Sequence, residues 1–440
     1  MARKNEDFDE FCDPDNPRMI VYDEVVAAAK RIAPHIINTP CMAAHTQHDF
    51  GIYIHYKMEH TQKTGSFKER GALNVLLQLP ADKKKIGLVI ASTGNEAEAF
   101  AYYTKAMSIP LTIILPVSTP TSKLGVCMNL GAKVIIQGQN LSDAQRFARS
   151  YAREKGLTYI NARDHPQMLT GNATVGLEIM DQTPFADAII VPLGSGGLAA
   201  GVAAVVKHVK PSCLIYGVQA ENMPTFFKSL EKQEPLSNVP LVESLTGDAL
   251  AVTSIGVNAF HNAKNQLDKV LLVKEEWIAR AMLHLVEREK FITEGAAACT
   301  LATVLGNLVP ELKTKNVVCI LTGGNVEIVI FNRSMERGLA AEGRLVKFKV
   351  GVLNAPGQKK ALMELISGSG YNVISFIIDN IWVEGDTCYS EVKLVCETKG
   401  LENSLELKRI IERAYPNTSV FESEPFNDKR VCPCYIAKNK

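Results

Sequence analysis

Between about Pro17 and Gly338, short runs of apolar and β-branched residues alternate with stretches whose apolar positions recur every three or four residues. Runs such as IYIHYKM, GLVIAS, LTIILP, KVIIQG, LTYINA, DAIIVPL, LIYGVQ, KVLLV and NVVCILT predict strands. Helical patterns lie between most of them. LSDAQRFARSYAREK, for example, carries one apolar face and opens with a Ser and a Gln spaced for a capping box. The order strand, Gly- or Ser-bearing turn, helix is that of a parallel α/β sheet, where ligands bind beyond the carboxyl ends of the strands. Over 338–346 the pattern lapses into small and polar residues, GLAAEGRL, and predicts a linker. Beyond it the segments KFKVGVL, KKALMELISGSG, YNVISFIID, CYSEVKLVCE, SLELKRIIERAYP and TSVFES predict βαββαβ, a ferredoxin-like order. The expected organisation is therefore a polar leader at 1–17, an α/β domain at 18–337 and the linker at 338–346. A small α+β domain at 347–424 and a polar, loosely held tail at 425–440 complete it.

Composition narrows the field of partners. A chain of 440 residues, 46% hydrophobic and 22% charged, has the make-up of a soluble globular protein of two or three domains. With a formal charge of +1 and no basic cluster, it offers no electrostatic case for nucleic acid or an acidic membrane. No apolar run is long enough and uncharged enough to span a bilayer. The start, MARKNEDFDEFCDPDNP, has the character of neither a signal nor a transit peptide, so a cytoplasmic location is expected. The ten cysteines form no CxxC pair, and the nine histidines form no HExxH. Reduced thiols and no metal site are the expectation.

Three strand-to-helix turns and one lysine carry candidate chemistry. In KTGSFKERGA, Lys63 to Ala72, Lys68 follows a small-residue turn and precedes the helix-compatible run ERGALNVLLQL. A helix N-terminus favours the neutral amine that attack on a carbonyl requires. Taken alone, Lys68 still reads as a surface lysine. The turn STGN offers Ser92, Thr93, Gly94 and Asn95, which are equally the residues of a helix cap. In GSGGL, Gly194, Ser195, Gly196, Gly197 and Leu198 open a helix as a phosphate cradle or as a tight turn. Its glycine spacing does not suit a nicotinamide dinucleotide. The turn TGGN begins with Thr322.

These strings together resemble the threonine dehydratase and serine racemase family of pyridoxal-phosphate enzymes, over about Cys12 to Gly343. The resemblance implies a two-subdomain parallel-sheet fold (fold type II) with pyridoxal 5′-phosphate as cofactor. By it, Lys68 carries the cofactor through an imine and takes the substrate α-proton, and Phe67 packs near the cofactor ring. Asn95 bonds the ring hydroxyl, Gly194 to Leu198 hold the phosphate, and Thr322 faces the pyridine nitrogen. Ser92 to Asn95 hold the substrate carboxylate, with Thr93 placed where racemases carry an acid/base. Glu96 stands where the family usually has His, an unfavourable neighbour for a substrate carboxylate unless it points away. Glu294, in TEGAAA, matches a glutamate next to the site, and GNAT, Gly171 to Thr174, replaces the usual GQGT; both also read as packing or capping residues. Gln219, Met223 and Thr225 fall where the racemase branch binds a metal and make a poor set for a hard cation, so no metal is expected.

The small C-terminal unit resembles an ACT domain, which implies assembly into a homo-oligomer and an amino-acid effector. Its first turn, NAPG, Asn354 to Gly357, lacks the acid and arginine of the usual ligand turn. The activity implied is an L-threonine and L-serine ammonia-lyase giving 2-oxo acid and ammonia by β-elimination. A serine racemase and a catalytically weakened amino-acid sensor are the alternatives.

Overall fold

The computed structural model describes residues 9–46, 50–119, 121–240, 242, 252–380, 388–422 and 434–436, with backbone alone at 121–123 and 434–436. It divides into two compact units, residues 1–330 together with 432–440, and residues 331–431.

In the first unit the chain builds two sheets. The strands are β1 (Cys41–Ala43), β2 (Tyr53–Lys57), β3 (Leu88–Ala91), β4 (Leu111–Leu115), β5 (Lys133–Ile136) and β6 (Thr158–Tyr159). After these come β7 (Ala188–Pro192), β8 (Leu214–Ala220), β9 (Lys269–Val273) and β10 (Asn316–Ile320). The larger sheet has the order β1-β2-β10-β7-β8-β9-β15, where β15 is Cys434–Ile436, and the smaller has β5-β4-β3-β6. Strands β2, β10, β7, β8 and β9 run parallel, as do all four of the smaller sheet. The nine strands read from apolar runs all form. Strands β7, β3 and β4 are buried at every position, which is why their sequences are unbroken apolar runs rather than alternating ones.

Two strands escaped the sequence reading. β1 lies antiparallel on β2, and β15 lies antiparallel on β9, closing the other edge of the sheet. The tail expected to be loosely held thus returns to the first unit through Cys434–Ile436; residues 423–433 and 437–440 lie outside the described residues. The cap of the Leu141–Lys155 helix also differs. Asn140, not Ser142, is the N-cap, its side chain accepting the Asp143 N–H.

The second unit contains β11 (Leu345–Leu353), a helix at Gln358–Gly368, β12 (Asn372–Asp379), β13 (Tyr389–Glu397), a helix at Leu401–Ala414 and β14 (Ser419–Phe421). The sheet is antiparallel with the order β12-β13-β11-β14. Phe348, Val350, Leu362, Ile366, Leu394, Leu407 and Ile411 fill its core. Of the stretch read as a linker, Gly338 to Ala341 are the last turn of a helix, Ile328–Ala341, and Leu345 already belongs to β11. Only three residues separate the two elements, because Leu339, Ala340 and Ala341 are strong helix formers that carry the helix past Gly338.

Candidate active site

Lys68 is the first residue of the Lys68–Gln78 helix, whose N-cap, Phe67, makes no side-chain capping bond. The preceding loop is fastened to the turn after β10. Phe67 N donates to the Thr322 carbonyl at 3.1 Å, Gly324 N donates to the Gly65 carbonyl at 2.9 Å, and Ser66 forms an isolated bridge with Gly323. Gly65 has φ 75°, and a Cβ there would come within 2.1 Å of Asn325 Oδ1. The Ser66 hydroxyl is buried beside the lysine without a protein partner.

The STGN turn leads from β3 into the helix Asn95–Ala106, capped by Gly94 with no side-chain bond. Its polar side chains therefore serve purposes other than the cap. Asn95 Nδ2 donates to both Glu294 oxygens at 3.2 Å. Asn325 Nδ2 donates to Asn95 Oδ1 at 3.0 Å and to Glu98 Oε2 at 2.9 Å. Glu294 is the N-cap residue of the Gly295–Leu305 helix but makes no capping bond there. A Cβ on Gly323 would fall 2.4 Å from its carboxylate. Glu96 points inward, not out: its Oε1 pairs with Lys68 Nζ, and its Oε2 accepts the Ser92 hydroxyl at 3.3 Å. Burial alone would raise the Glu96 carboxyl, but the Lys68 charge and hydrogen bond outweigh it and hold it below the usual carboxylate range.

The third turn, Gly194 to Gly197, leads from β7 into the Gly197–Val209 helix. Gly196, the N-cap, sits at φ 95° and makes no capping bond. A Cβ on Gly196 would lie 2.4 Å from Phe226, and one on Gly197 2.8 Å from Leu169. The loop is therefore held small on its inner side, and the first N–H groups of the helix receive no side chain from the cap. Arg163 lies close by, its carbonyl 3.5 Å from the Gly197 Cβ position and its guanidinium donating to the Ser254 carbonyl at 3.1 Å. Burial lowers the pKa of that guanidinium, against an opposing pull from Glu96.

Two residues along the same helix, and so on a different side of its first turn, Arg70 is fully buried between two carboxylates. It donates to Glu59 from Nε at 2.8 Å and Nη2 at 2.7 Å, and to Glu178 from Nη1 at 2.7 Å and Nη2 at 2.8 Å. Lys57 Nζ, also fully buried, pairs with Glu178 at 2.5 Å. Two cations face two anions, which lets the charges stay buried. Burial would raise the Glu59 carboxyl, but Arg70 and Lys57 hold it low. Neither Arg163 nor this network emerged from the sequence: Ser254 lies 91 positions from Arg163, and Glu178 lies 108 from Arg70.

The sequence of residues 32–323 matches the pattern that defines a family described as pyridoxal-phosphate dependent enzyme. The chain belongs to that family. It is 35% identical over 360 residues to an L-threonine ammonia-lyase of Thermotoga maritima, covering 81% of this chain and 88% of that one. Two solved structures are similar. One is a T.th. threonine deaminase, with TM-score 0.65, 31% identity and coverage of 70% of this chain and 98% of that one. The other is a serine racemase from Dictyostelium discoideum, with TM-score 0.65, 30% identity and coverage of 70% and 99%.

A pyridoxal-phosphate enzyme needs a reachable lysine amine and donors for a phosphate, and these residues fit that need. Three helices, those beginning at Lys68, Asn95 and Gly197, receive no hydrogen bond from an N-cap side chain, and the Ser66 hydroxyl is buried without a partner. Phe67 is buried in the apolar cluster that includes Leu169 and Leu198, with Lys68 Nζ 5.1 Å from its ring centroid. Thr322 is buried and Thr93 half-buried.

Gly171 to Thr174, which also read as packing or capping residues, lie inside the Pro166–Gln182 helix. A Cβ on Gly171 would meet the Arg70 carbonyl at 2.6 Å, and Thr174 Oγ1 accepts from Arg70, so these residues dock the lysine helix. Gln219 uses both ends of its amide on the backbone at Leu193 and Phe227, and the Thr225 hydroxyl donates to the Val252 carbonyl. Asn354 Oδ1 accepts from Lys359 at 3.2 Å.

Proposed function

We propose that this enzyme removes ammonia from L-threonine and L-serine by β-elimination, giving the corresponding 2-oxo acid. The observation that carries the reading is the Lys68 amine, set at an uncapped helix start on the loop fastened to the Thr322 turn. The similarity to an L-threonine ammonia-lyase supports it. When bound, pyridoxal phosphate supplies an electron sink for the pair left as the α C–H bond breaks. The N–H groups at Ser195 to Leu198 would hold its phosphate, Asn95 its ring hydroxyl, and Thr322 would offer an uncharged hydroxyl to its ring nitrogen. Phe67 supplies apolar packing beneath. The Ser92 to Asn95 turn takes the substrate carboxylate on its backbone donors. Lys68 Nζ would hold the cofactor and, as a free amine, would take the substrate α-proton.

Thr93 belongs to the same turn and would serve as opposite-face acid/base in the second reading, a serine racemase; similarity to a serine racemase supports keeping it. The unit after residue 330 contains a four-stranded antiparallel sheet; reading it as ACT-like, we assign it to assembly of identical subunits with an amino-acid effector as a further role. Among the described residues no helix is long and apolar enough to cross a membrane. A cytoplasmic enzyme fits this reading.

The test is to incubate purified protein and pyridoxal phosphate with each L-amino acid and to measure 2-oxo acid, ammonia and D-enantiomer. Stoichiometric 2-oxo acid and ammonia from threonine or serine are expected. D-serine without 2-oxo acid would favour the racemase, and no product would favour the sensor.

A further inference from the structure

We propose that Glu96 is the proton partner of Lys68: its carboxylate, in contact with Nζ, accepts the proton that the amine gives up when it attacks a carbonyl. The inference rests on the cofactor role given to Lys68 above. Its basis is the placement of two opposite charges on two helix starts.

Lys68 and Glu96 occupy the first turns of the Lys68–Gln78 and Asn95–Ala106 helices, and their side chains meet. A helix N-terminus favours a carboxylate and opposes an ammonium, so the field of each helix stabilises Glu96 and works against the charge on Lys68. The contact places a carboxylate directly against the lysine amine. Both side chains are largely removed from water, with 19% and 17% of their surface exposed, which strengthens the pairing relative to a surface pair. The second carboxylate oxygen is held by Ser92, so Glu96 is anchored rather than swinging free. The low pKa of the Glu96 carboxyl agrees with an ionised acceptor.

The other charged groups near the pair face elsewhere or act on Glu96. Glu69, on the lysine helix, accepts from Thr64 and Tyr103. Arg70 is locked between Glu59 and Glu178. Glu98 and Glu294 accept from Asn325 and Asn95. Arg163 is the second cation acting on Glu96, and Tyr159 and Asp164 in turn act on Arg163. Glu96 is thus the carboxylate that meets Lys68 directly.

In the proposed step one Nζ proton passes to Glu96 and the nitrogen lone pair forms the new bond to the aldehyde carbon. The remaining two protons leave with the aldehyde oxygen as water, and the carbon–nitrogen double bond closes. The proton on Glu96 is then available to the imine nitrogen, whose positive charge the carboxylate stabilises. No oxidant or further reactant is needed.

The experiment is a pH titration of the visible absorbance of full-length holoenzyme, comparing wild type, Glu96→Gln and Glu96→Asp. A parallel measurement follows acylation of Lys68 against pH after cofactor removal, read by peptide mass. Glu96→Gln should move both midpoints down by about one pH unit or more, equivalent to about tenfold more Lys68 acylation near neutrality. Glu96→Asp, which keeps the charge but withdraws it, should move them less and in the same direction. It also serves if the Gln variant does not fold. Midpoints overlaying wild type in both variants would overturn the proposal. Failure of wild type to take up pyridoxal phosphate would instead sink the cofactor role of Lys68.

Discussion

His165 links the start of a helix to the acidity of the medium. Its Nδ1 accepts the Gln167 N–H at 3.1 Å as the cap of the Pro166–Gln182 helix, and its ring lies 4.5 Å from that of Phe11. Burial pulls its pKa down to about 4, with a smaller opposing effect from Asp9. A proton on Nδ1 would abolish the cap. Because the folded value lies below the ordinary 6.5, the neutral ring's contribution is complete above about 6.5 and is lost as pH falls toward about 4. His60, also lowered to about 4 by burial, acts in the same sense. Asp164, pushed up to about 6 by burial, acts oppositely, favouring the fold as pH falls through about 6. The net wild-type slope mixes these, so the difference between wild type and His165→Gln isolates one. We expect the stability difference between the two to change by about 1.4 kcal/mol per pH unit within that window, in the direction of a relatively better Gln variant at acid pH. Urea unfolding between about pH 7 and about pH 4.5 measures it, and parallel curves would refute it.

At the scale of elements, the strand-to-helix turns carry the site, and their shape depends on residues too small to obstruct it. Gly196 combines a left-handed φ of 95° with a Cβ position 2.4 Å from the buried Phe226 ring. Gly196→Ala should therefore add about 1–2 kcal/mol of backbone strain and displace either the loop or the ring. We expect affinity for pyridoxal phosphate to fall by about tenfold or more in an absorbance titration. Gly368→Ala, where a Cβ would meet nothing within 4 Å, is the control and should leave that affinity unchanged. The lysine helix is positioned by a different device. Arg70 fixes it to Glu59 and Glu178 through four hydrogen bonds, while Gly71 and Gly171 let it approach the Pro166–Gln182 helix closely. Removing the arginine side chain would leave Glu59 buried with one cation fewer; Arg70→Met should destabilise the fold by about 3–5 kcal/mol, read as a lowered thermal midpoint. An unchanged midpoint would mean that the network is dispensable.

For the whole molecule, the path of the chain matters more than the order of its domains. The chain leaves the first unit near residue 330, builds the second unit, and returns to pair β15 with β9. A protein ending at Gly343 would lose the C-terminal βαββαβ unit and β15 together, baring the β9 edge. All the cofactor turns precede that point, so we expect the truncated protein to retain cofactor binding, to change its assembly state in light scattering, and to unfold at lower temperature. A second deletion, removing only residues after about Pro433, should lower the thermal midpoint without changing assembly. Loss of cofactor binding in the Gly343 truncation would show that the C-terminal part supports the catalytic fold.

The sequence by itself specified the nine apolar strands, the βαββαβ order and the strings that surround Lys68, because each is written in residues close along the chain. A buried parallel strand must be apolar throughout, and a phosphate turn must be small; both demands leave local marks. Other features were decided only by packing. Glu96 stands 28 positions from Lys68, Glu294 lies 199 from Asn95, and Glu178 lies 108 from Arg70. Nothing in a run of residues shows which way a charged side chain will turn, since direction depends on what the fold brings opposite it. Of the two readings open for the STGN turn, the cap is not made, and the Asn95 amide instead meets Glu294 and Asn325 from far along the chain. The return of Cys434–Ile436 to the sheet was equally hidden. Three residues carry too little pattern to predict a strand, and what recruits them is the open edge of β9, which exists only after the sheet has formed.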